Sequence, residues 1–342
     1  MLPDRWLLYT LMLKSRLLEE AVASLWHSGL ISGEMHLGTG EEAIVAGVVS
    51  HLQEGDAMAL DHRGTAALLM RGVDPLLILL ELLGHPDGLC HGRGGHMHLF
   101  SRAHLAASSG IVGAGGPTAA GFALAAQYTE SAGVAIGFFG EGAMNQGMLL
   151  EALNLAATWN LPAVFVCKDD GWAITTPSKT VTGSDLTERA RSLGVRAVDV
   201  DGREVVDVWE AAAAAIDRAR SGQGPTFLHA SCVHLEAHFL GYQLLRSARH
   251  PLRELPDIAI PMTRSFLRPG GAGLLQRIEG MRAVSEALQA TLQDPRRDPA
   301  NDPLPRARRA LHADSARLEA LEERVAGEIS DALAHAVAEV AS

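Results

Sequence analysis

The sequence predicts an α/β protein built on a mostly parallel sheet. The apolar runs VAIGFF and AVFVCK are separated by MLLEALNLAATWNL, and strand, helix, strand at that spacing is typical of a parallel βαβ unit. Further strand-like runs, DAMAL, VRAVDV and TFLHASCVHL, are spread between helical segments. The chain has 342 residues, 47% of them hydrophobic, which is enough for one large α/β domain or two modest ones.

Apolar periodicity predicts the main helices. It covers residues 3–28, 41–52, 65–84 and 117–129. The first of these begins the chain, and it lacks the small-residue cleavage site of a signal peptide. The most apolar run, PLLILLELLG, is too short and too acidic to span a bilayer. We therefore expect a soluble, cytoplasmic protein.

Composition changes along the chain predict three regions. Residues 1–250 hold the α/β domain, and residues 251–301 are rich in Pro, Arg and Gly with one helical stretch. In residues 302–342, apolar side chains recur every three or four positions from Ala313 onward. That spacing predicts an amphipathic helix that packs on the body or on another subunit.

Net charge and cysteine content argue against several kinds of partner and against a disulfide framework. The formal net charge is −11, which argues against nucleic acid or an anionic membrane as a partner. Cys90, Cys167 and Cys232 are few and scattered, so they do not suggest a disulfide framework. Cys167 lies inside an apolar strand, where it is expected to be a small buried hydrophobe.

Carboxylates stand at the ends of two successive predicted strands. Glu141 follows VAIGFF, and Asp169 and Asp170 follow AVFVCK. Ligands of parallel sheets bind beyond the carboxyl ends of strands, and Mg²⁺ prefers oxygen ligands. Glu141 and Asp170 are therefore candidate metal ligands in one crevice. Spacing alone leaves open that Glu141 caps the next helix and that the two aspartates form a turn.

A dinucleotide-binding loop is a poorer interpretation of the same segment. The pattern G-x-G-x-x-G beginning at Gly140 requires a third glycine at position 145, where this chain has Asn145. Hydride transfer with a nicotinamide cofactor is therefore disfavoured.

The segment FFGEGAMNQGMLLEALNLAATWNLPAVFVCKDDGWAITTP resembles the thiamine diphosphate signature of the alpha subunits of 2-oxo acid dehydrogenase complexes. That family includes the pyruvate, branched-chain and acetoin enzymes. HLGTGEEA, GRGGHMH and SSGIVGAGGPTAAGFALA follow in the family's order and spacing, as do GPTFLHA and HFLG. The resemblance covers about residues 1–250 and 302–342, and the segment at 251–301 is longer than the family's usual connection. It implies a three-layer thiamine diphosphate-binding fold, in the half that holds the diphosphate.

The resemblance also implies site residues. Mg²⁺ would be held by Glu141, Asp170 and the main-chain carbonyl of Trp172, and Ile174 would be the apolar wedge that bends the cofactor. His238 would face the reacting carbon and His36 the substrate entrance, as catalytic residues. The residues implied to bind the cofactor are His62, Arg63, Gly110, Val112, Gly140, Glu141, Gly142, Ala143, Asp170, Trp172 and Ile174.

The chain departs from the family pattern near the diphosphate. Asp169 and Asp170 stand where the family has two asparagines, and a carboxylate facing the diphosphate at 5 Å would cost about 3 kcal/mol at an effective dielectric constant of about 20. Ser231-Cys232-Val233 replaces Thr-Tyr-Arg, so a phosphate-binding arginine is missing, with His234 as a partial substitute. Thr65 replaces a histidine.

A zinc site is an alternative role for the histidine-rich loop. Cys90, His91, His96 and His98 are each possible ligands, although their spacing matches no structural zinc module. The resemblance instead makes this an ordered loop over the cofactor.

The resemblance implies partners as well. In this family the glutamate that activates the cofactor comes from a separate beta chain, so we expect two alpha and two beta chains and no activity of this chain alone. The substrate would be a small 2-oxo acid or acetoin, and the acyl acceptor a lipoyl-bearing acyltransferase. Two alternatives stay open: a biosynthetic carboligase, suggested by the altered loop and insertion, and a degenerate structural subunit, suggested by the aspartate pair.

Overall fold

The computed structural model describes residues 2–174, 176–236, 238–240 and 298–341, with a few single residues between 264 and 282. Most of the segment predicted as an insertion at 251–301 lies outside these residues. The described strands are β1 (Ala57–Leu60), β2 (Phe100–Ser101), β3 (Ala106–Ser108), β4 (Ala135–Gly140), β5 (Ala163–Asp169), β6 (Trp172–Ala173), β7 (Thr176–Pro177), β8 (Arg196–Asp201) and β9 (Thr226–Ser231).

Seven of these strands form one sheet in the order β2-β3-β1-β4-β5-β9-β8. All neighbours are parallel except β2 and β3. In the register, Gly140 pairs with Lys168, and Asp169 pairs with Ser231. The carboxyl ends of β4, β5 and β9 therefore meet at one edge, as the predicted parallel sheet requires.

Helices cover both faces of the sheet. The described helices are α1 (Arg5–His27), α2 (Glu42–Val49), α3 (Thr65–Met70), α4 (Pro75–Leu82), α5 (Gly115–Tyr128), α6 (Gly147–Thr158), α7 (Leu186–Ser192), α8 (Val205–Arg220), α9 (Pro303–Arg309) and α10 (Ser315–Ala341).

Alternate side chains of the central strand enter two separate cores. Val164 and Val166 of β5 join the core with α1, α2 and α8, whereas Phe165 and Cys167 join the core with α5, α6 and α7. All four side chains are fully buried, since successive side chains of a strand point to opposite faces. This confirms the predicted α/β fold with three layers.

The helix predicted at 65–84 is wrong as a single element. It is two helices, α3 and α4, separated at Gly72, whose φ is +105°. Asp74 then begins α4 by accepting a hydrogen bond from the Leu76 amide at 2.8 Å. The second helix, α4, carries Glu81, which accepts hydrogen bonds from the amides of Cys90 and Gly94.

The C-terminal helix α10 packs against α1. Leu318 and Val325 share a small apolar core with Tyr9 and Leu13, and the Tyr9 hydroxyl donates to Glu322 at 2.5 Å. Among the described residues, none of the helices has the length and apolar character needed to cross a membrane.

Glu19 of α1 is a buried carboxyl group, and its burial makes stability depend on pH. Burial raises its pKa to about 7, although the Thr65 hydroxyl donates to it. Because the folded pKa lies above the unfolded value of 4.5, the contribution of Glu19 to stability is greatest below pH 4.5 and is lost as pH rises through 7. We expect the free energy of unfolding of Glu19→Gln, relative to the natural chain, to rise by about 3 kcal/mol across that interval.

Denaturant unfolding at a series of pH values measures this difference. The control is Glu20→Gln, which changes the same group at the exposed neighbouring position. A difference between Glu19→Gln and the natural chain that does not change with pH would contradict the assignment.

Candidate functional site

A cavity of about 420 Å³ lies at the carboxyl ends of the strands; we call it the central cavity. The segments after β1, β3, β4, β5 and β9 all contribute to its wall. It brings together every site residue that the sequence predicted: His36, His62, Arg63, Gly110, Val112, Gly140, Glu141, Gly142, Ala143, Asp170, Trp172, Ile174 and His238. Their shared location is observed, whereas their individual roles stay predictions.

Glu141 and Asp170 are two buried carboxyl groups on the cavity wall. They are 3% and 8% exposed, and the Ser178 hydroxyl donates to Glu141. Burial and then the negative charge of Asp170 raise the pKa of Glu141. Two buried carboxylates that repel each other across a cavity provide the hard oxygen ligands that a divalent cation such as Mg²⁺ prefers.

The aspartate pair also forms the turn that the spacing allowed. Oδ1 of Asp169 accepts from the Gly171 amide at 2.7 Å, and Oδ1 of Asp170 accepts from the Trp172 amide at 3.2 Å. The second oxygen of each carboxylate bonds to a histidine, Asp169 to His229 and Asp170 to His234. The spacing-based alternative of a turn is therefore observed, together with the shared cavity wall of Glu141 and Asp170.

Asp169 turns away from the central cavity. Its Oδ2 lies 2.7 Å from Nε2 of His229, whose Nδ1 lies 2.8 Å from Asp199. Both Asp169 and His229 line a neighbouring cleft of about 920 Å³, the outer cleft, which shares Glu141 and Trp172 with the central cavity. Burial alone would lower the pKa of His229, but the two carboxylates raise it to about 9. Asp169 thus has a cationic partner of its own.

His234 bridges two buried carboxylates. Its Nδ1 lies 2.8 Å from Oδ2 of Asp170, and its Nε2 lies 2.7 Å from Oε1 of Glu41. Glu41 in turn binds Lys168 at 2.5 Å, and Lys168 lies 3.0 Å from Asp61. Burial would lower the pKa of His234, yet the carboxylates raise it to about 9, so the ring is cationic at neutral pH.

Sequence reasoning missed Glu41, Asp61 and Lys168 as members of this site. All three line the central cavity, and the Lys168 side chain is 2% exposed. A lysine at the end of an otherwise apolar strand was the signal, because buried lysines are rare unless paired. The sequence did not show where its partners would come from.

Three histidine rings form one wall of the central cavity. The ring centroid of His36 lies 4.6 Å from that of His62 and 5.0 Å from that of His238. Burial, and next the charge of Arg63, lower the pKa of His36 to about 3 and that of His238 to about 4. Burial also lowers the pKa of His62, to about 2. Neutral imidazoles can each donate one hydrogen bond and accept another.

Two contacts show how this wall is held and what it offers. The Arg63 guanidinium donates to the carbonyl of His238 at 2.6 Å and to that of Leu37, so it ties two loops together. Nε2 of His62 is buried and has no hydrogen-bond partner among the described residues. An unpaired buried nitrogen on a cavity wall is suited to a polar group of a bound molecule.

The zinc alternative is not supported by the arrangement of its residues. Among the described residues, the groups with three ligand atoms within 4.8 Å of one another are His36-His62-His238 and Glu41-Cys232-His234. Neither contains Cys90, His91, His96 or His98. His96 instead lies 2.9 Å from Nδ1 of His36, so its loop supports the histidine wall.

A buried glutamate shapes that loop. Glu81 is 1% exposed and accepts hydrogen bonds from the amides of Cys90 at 2.7 Å, Gly92 at 2.8 Å and Gly94 at 2.6 Å, with Gly95 at 3.3 Å. The loop then carries His96 to His36. The acidic residue within PLLILLELLG was the sequence signal for this role.

We expect Glu81→Gln to lower the free energy of unfolding by about 2 to 4 kcal/mol, because an amide nitrogen would face amide donors that a carboxylate oxygen now accepts. Denaturant unfolding measures the loss. Glu54→Gln, an exposed glutamate, is the control and is expected to change stability by less than about 0.5 kcal/mol. Equal stabilities of the two variants would contradict this role.

Ile174 projects at the mouth of the central cavity from a small hairpin. Strands β6 and β7 flank it, its φ is +58°, and 58% of it is exposed. Positive φ is strained for a β-branched residue, and such strain is concentrated at functional sites. Gly142 lies beneath this hairpin, where an added Cβ would lie 3.0 Å from Cβ of Ala173.

The chain matches known proteins over about two thirds of its length. Residues 9–241 match the family model described as the dehydrogenase E1 component. The alpha subunit of acetoin:2,6-dichlorophenolindophenol oxidoreductase from Bacillus subtilis is 40% identical over 68% of this chain and 71% of that protein. The corresponding subunit from Cupriavidus necator is 42% identical over 67% and 69%.

A pyruvate dehydrogenase relative matches over a similar length. The E1 component subunit alpha from Zymomonas mobilis is 35% identical over 74% of this chain and 73% of that protein. Among solved structures, transketolase from Campylobacter jejuni superposes with a TM-score of 0.51 at 17% identity, over 68% of this chain and 38% of that chain. The latter similarity concerns the fold alone.

Proposed function

Because this chain belongs to the dehydrogenase E1 component family, we propose that its central cavity binds the diphosphate end of thiamine diphosphate together with Mg²⁺. The chain is an E1 alpha subunit of a thiamine diphosphate-dependent 2-oxo acid or acetoin dehydrogenase, an oxidoreductase. The observation that carries the proposal is the pair of buried carboxylates, Glu141 and Asp170, at the carboxyl ends of adjacent parallel strands.

Glu141, Asp170 and the main-chain carbonyl of Trp172 would hold the metal. The two carboxyl groups are buried and share the cavity wall. Burial and the negative charge of Asp170 raise the pKa of Glu141, so a bound divalent cation would offset the unfavourable charge of the two carboxylates. Gly140, Gly142 and Ala143 would place the turn after β4 close to the phosphates. This metal would neutralise the diphosphate beside the two carboxylates.

The opposite wall would hold the rest of the cofactor. Gly110 and Val112 lie in the loop after β3, and Ile174 faces the same cavity from the hairpin. The exposed, strained isoleucine would act as the wedge that sets the cofactor's bend. Bound thiamine diphosphate supplies a carbon nucleophile and then an electron sink for decarboxylation or carbon–carbon cleavage.

The histidine wall would orient the substrate. His36 and His238 are neutral, partly buried and close together, so they can hold a carbonyl or hydroxyl oxygen by donating a hydrogen bond. His62 and Arg63 would lie nearer the diphosphate. The substrate would be acetoin or a small 2-oxo acid, since acetoin and pyruvate enzymes are both among the relatives.

Subunits of this family act with a beta subunit. We propose two alpha and two beta chains, with the beta chain supplying the activating glutamate, a lipoyl-bearing acyltransferase as acyl acceptor, and the cytoplasm as the location. The boundaries proposed for the regions are 1–250, 251–301 and 302–342. The net charge of −11 supports the proposal that nucleic acid and anionic membranes are not partners.

The test is calorimetric titration of thiamine diphosphate with Mg²⁺ into the chain co-produced with its beta subunit. We expect micromolar binding, followed by reduction of dichlorophenolindophenol with acetoin, pyruvate or a branched 2-oxo acid. The Asp170→Asn variant is measured in parallel. Absence of binding in the natural chain, with binding restored by asparagine, would overturn the proposal and favour the degenerate subunit.

A further inference from the structure

The Asp169-Asp170 pair would place negative charge beside the diphosphate that the proposed function requires. The inference made here from that charge rests on the proposed function. Two carboxylates stand where the family pattern has two uncharged amides, next to the proposed site of an anionic diphosphate. We propose that His234 is a positioning residue that fixes the carboxylate of Asp170 and cancels its charge, so that aspartate can serve there as the metal ligand.

The hydrogen bonds of His234 define its charge. Both ring nitrogens lie within 2.8 Å of carboxylate oxygens, one from Asp170 and one from Glu41. Ionised carboxylates only accept hydrogen bonds, so each nitrogen must carry a hydrogen, and the ring is an imidazolium. The side chains of His234 and Asp170 are only 8% and 10% exposed, so solvent screens the pair weakly.

His234 is a direct cationic partner of Asp170. Its Nδ1 lies 2.8 Å from Oδ2 of Asp170, whereas Lys168 binds Glu41 and Asp61, and Nε of Arg63 lies 3.7 Å from Oε1 of Glu41. Glu141, a further buried carboxyl group, interacts unfavourably with Asp170. Removing His234 therefore leaves the negative charge of Asp170 without this direct partner at the proposed diphosphate position.

The other aspartate is compensated independently. Asp169 pairs with His229 at 2.7 Å, and both residues line the outer cleft instead of the central cavity. Each aspartate of the pair thus has its own histidine, on its own side of strand β5. His229 consequently offers a control in which the same kind of ion pair is broken between two residues that do not line the central cavity.

A double-mutant cycle separates charge compensation from general damage. Affinity for thiamine diphosphate at saturating Mg²⁺ is measured for the natural chain, His234→Asn, Asp170→Asn and the double variant, each co-produced with the beta subunit. We expect His234→Asn to weaken binding at least tenfold, and the double variant to bind within threefold of Asp170→Asn. His229→Asn is expected to change the affinity less than threefold.

Unfolding without cofactor is a second measurement, and it tests the role of His234 even if no cofactor binds. Unfolding of the same four proteins without cofactor is expected to show the same coupling: His234→Asn is destabilising, and Asp170→Asn removes most of that effect. The inference would be overturned if His234→Asn reduced affinity and stability by the same amount whether residue 170 is aspartate or asparagine. If the natural chain binds no thiamine diphosphate, the proposed function fails, and the unfolding cycle alone still decides whether His234 compensates Asp170.

Discussion

Glu141→Gln is expected to abolish Mg²⁺-dependent binding of thiamine diphosphate and, at the same time, to stabilise the cofactor-free protein. The carboxylate is 3% exposed, and its pKa is raised by burial and by the negative charge of Asp170. With a pKa of about 8, Glu141 must take up a proton when the chain folds at neutral pH, and this costs free energy that a neutral amide does not require. The ionised carboxylate is the proposed metal ligand, so its replacement by an amide removes the binding site.

The two effects are measured separately. Calorimetry on the chain co-produced with its beta subunit is expected to show at least a hundredfold weaker binding, and denaturant unfolding without cofactor an increase of about 1 to 3 kcal/mol. The Ser178 hydroxyl can still bond to the amide oxygen. Glu151→Gln, on the exposed face of α6, is the matched control for both measurements.

The expected combination of weaker cofactor binding and greater stability distinguishes a metal ligand from a structural residue. A variant that lost both binding and stability would indicate a structural role for Glu141, such as the helix cap that spacing alone allowed. A variant that kept cofactor affinity would exclude Glu141 as a metal ligand.

Gly40→Ala is expected to prevent stable folding or to lower the free energy of unfolding by about 4 kcal/mol or more. Gly40 has φ of +102°, and an added Cβ would lie 1.7 Å from the carbonyl oxygen of Val233. No rotation of a side chain can relieve a collision with main chain. The segment from His36 to Glu41 would have to separate from the segment that carries His234, and the Glu41–His234 bond would be lost.

Gly55→Ala separates this collision from ordinary glycine strain. Gly55 also has a positive φ, +88°, but an added Cβ there meets nothing within 4 Å. Its expected cost is about 1 to 2 kcal/mol, the cost of a left-handed conformation alone. Denaturant unfolding of both variants tests the difference, and equal losses would show that the contact between the two loops is not what requires glycine at position 40.

The sequence alone predicted the architecture and the position of the site. Alternating apolar runs and helices identified the parallel strands, because burial on both faces leaves a continuous apolar signal such as AVFVCK. Carboxylates at two successive strand ends predicted that Glu141 and Asp170 share one crevice, since neighbouring parallel strands end at the same edge. The single predicted helix at 65–84 was wrong because apolar periodicity continues across Gly72, where the backbone turns.

Only the tertiary structure decided which charges neutralise one another. Asp169 and Asp170 are adjacent in sequence, yet at the end of β5 their side chains reach different partners, one His229 and the other His234. Lys168 finds its partners in Glu41 and Asp61, more than a hundred residues earlier in the chain. Local patterns encode strands and turns, whereas these pairings depend on the packing of distant segments at one edge of the sheet.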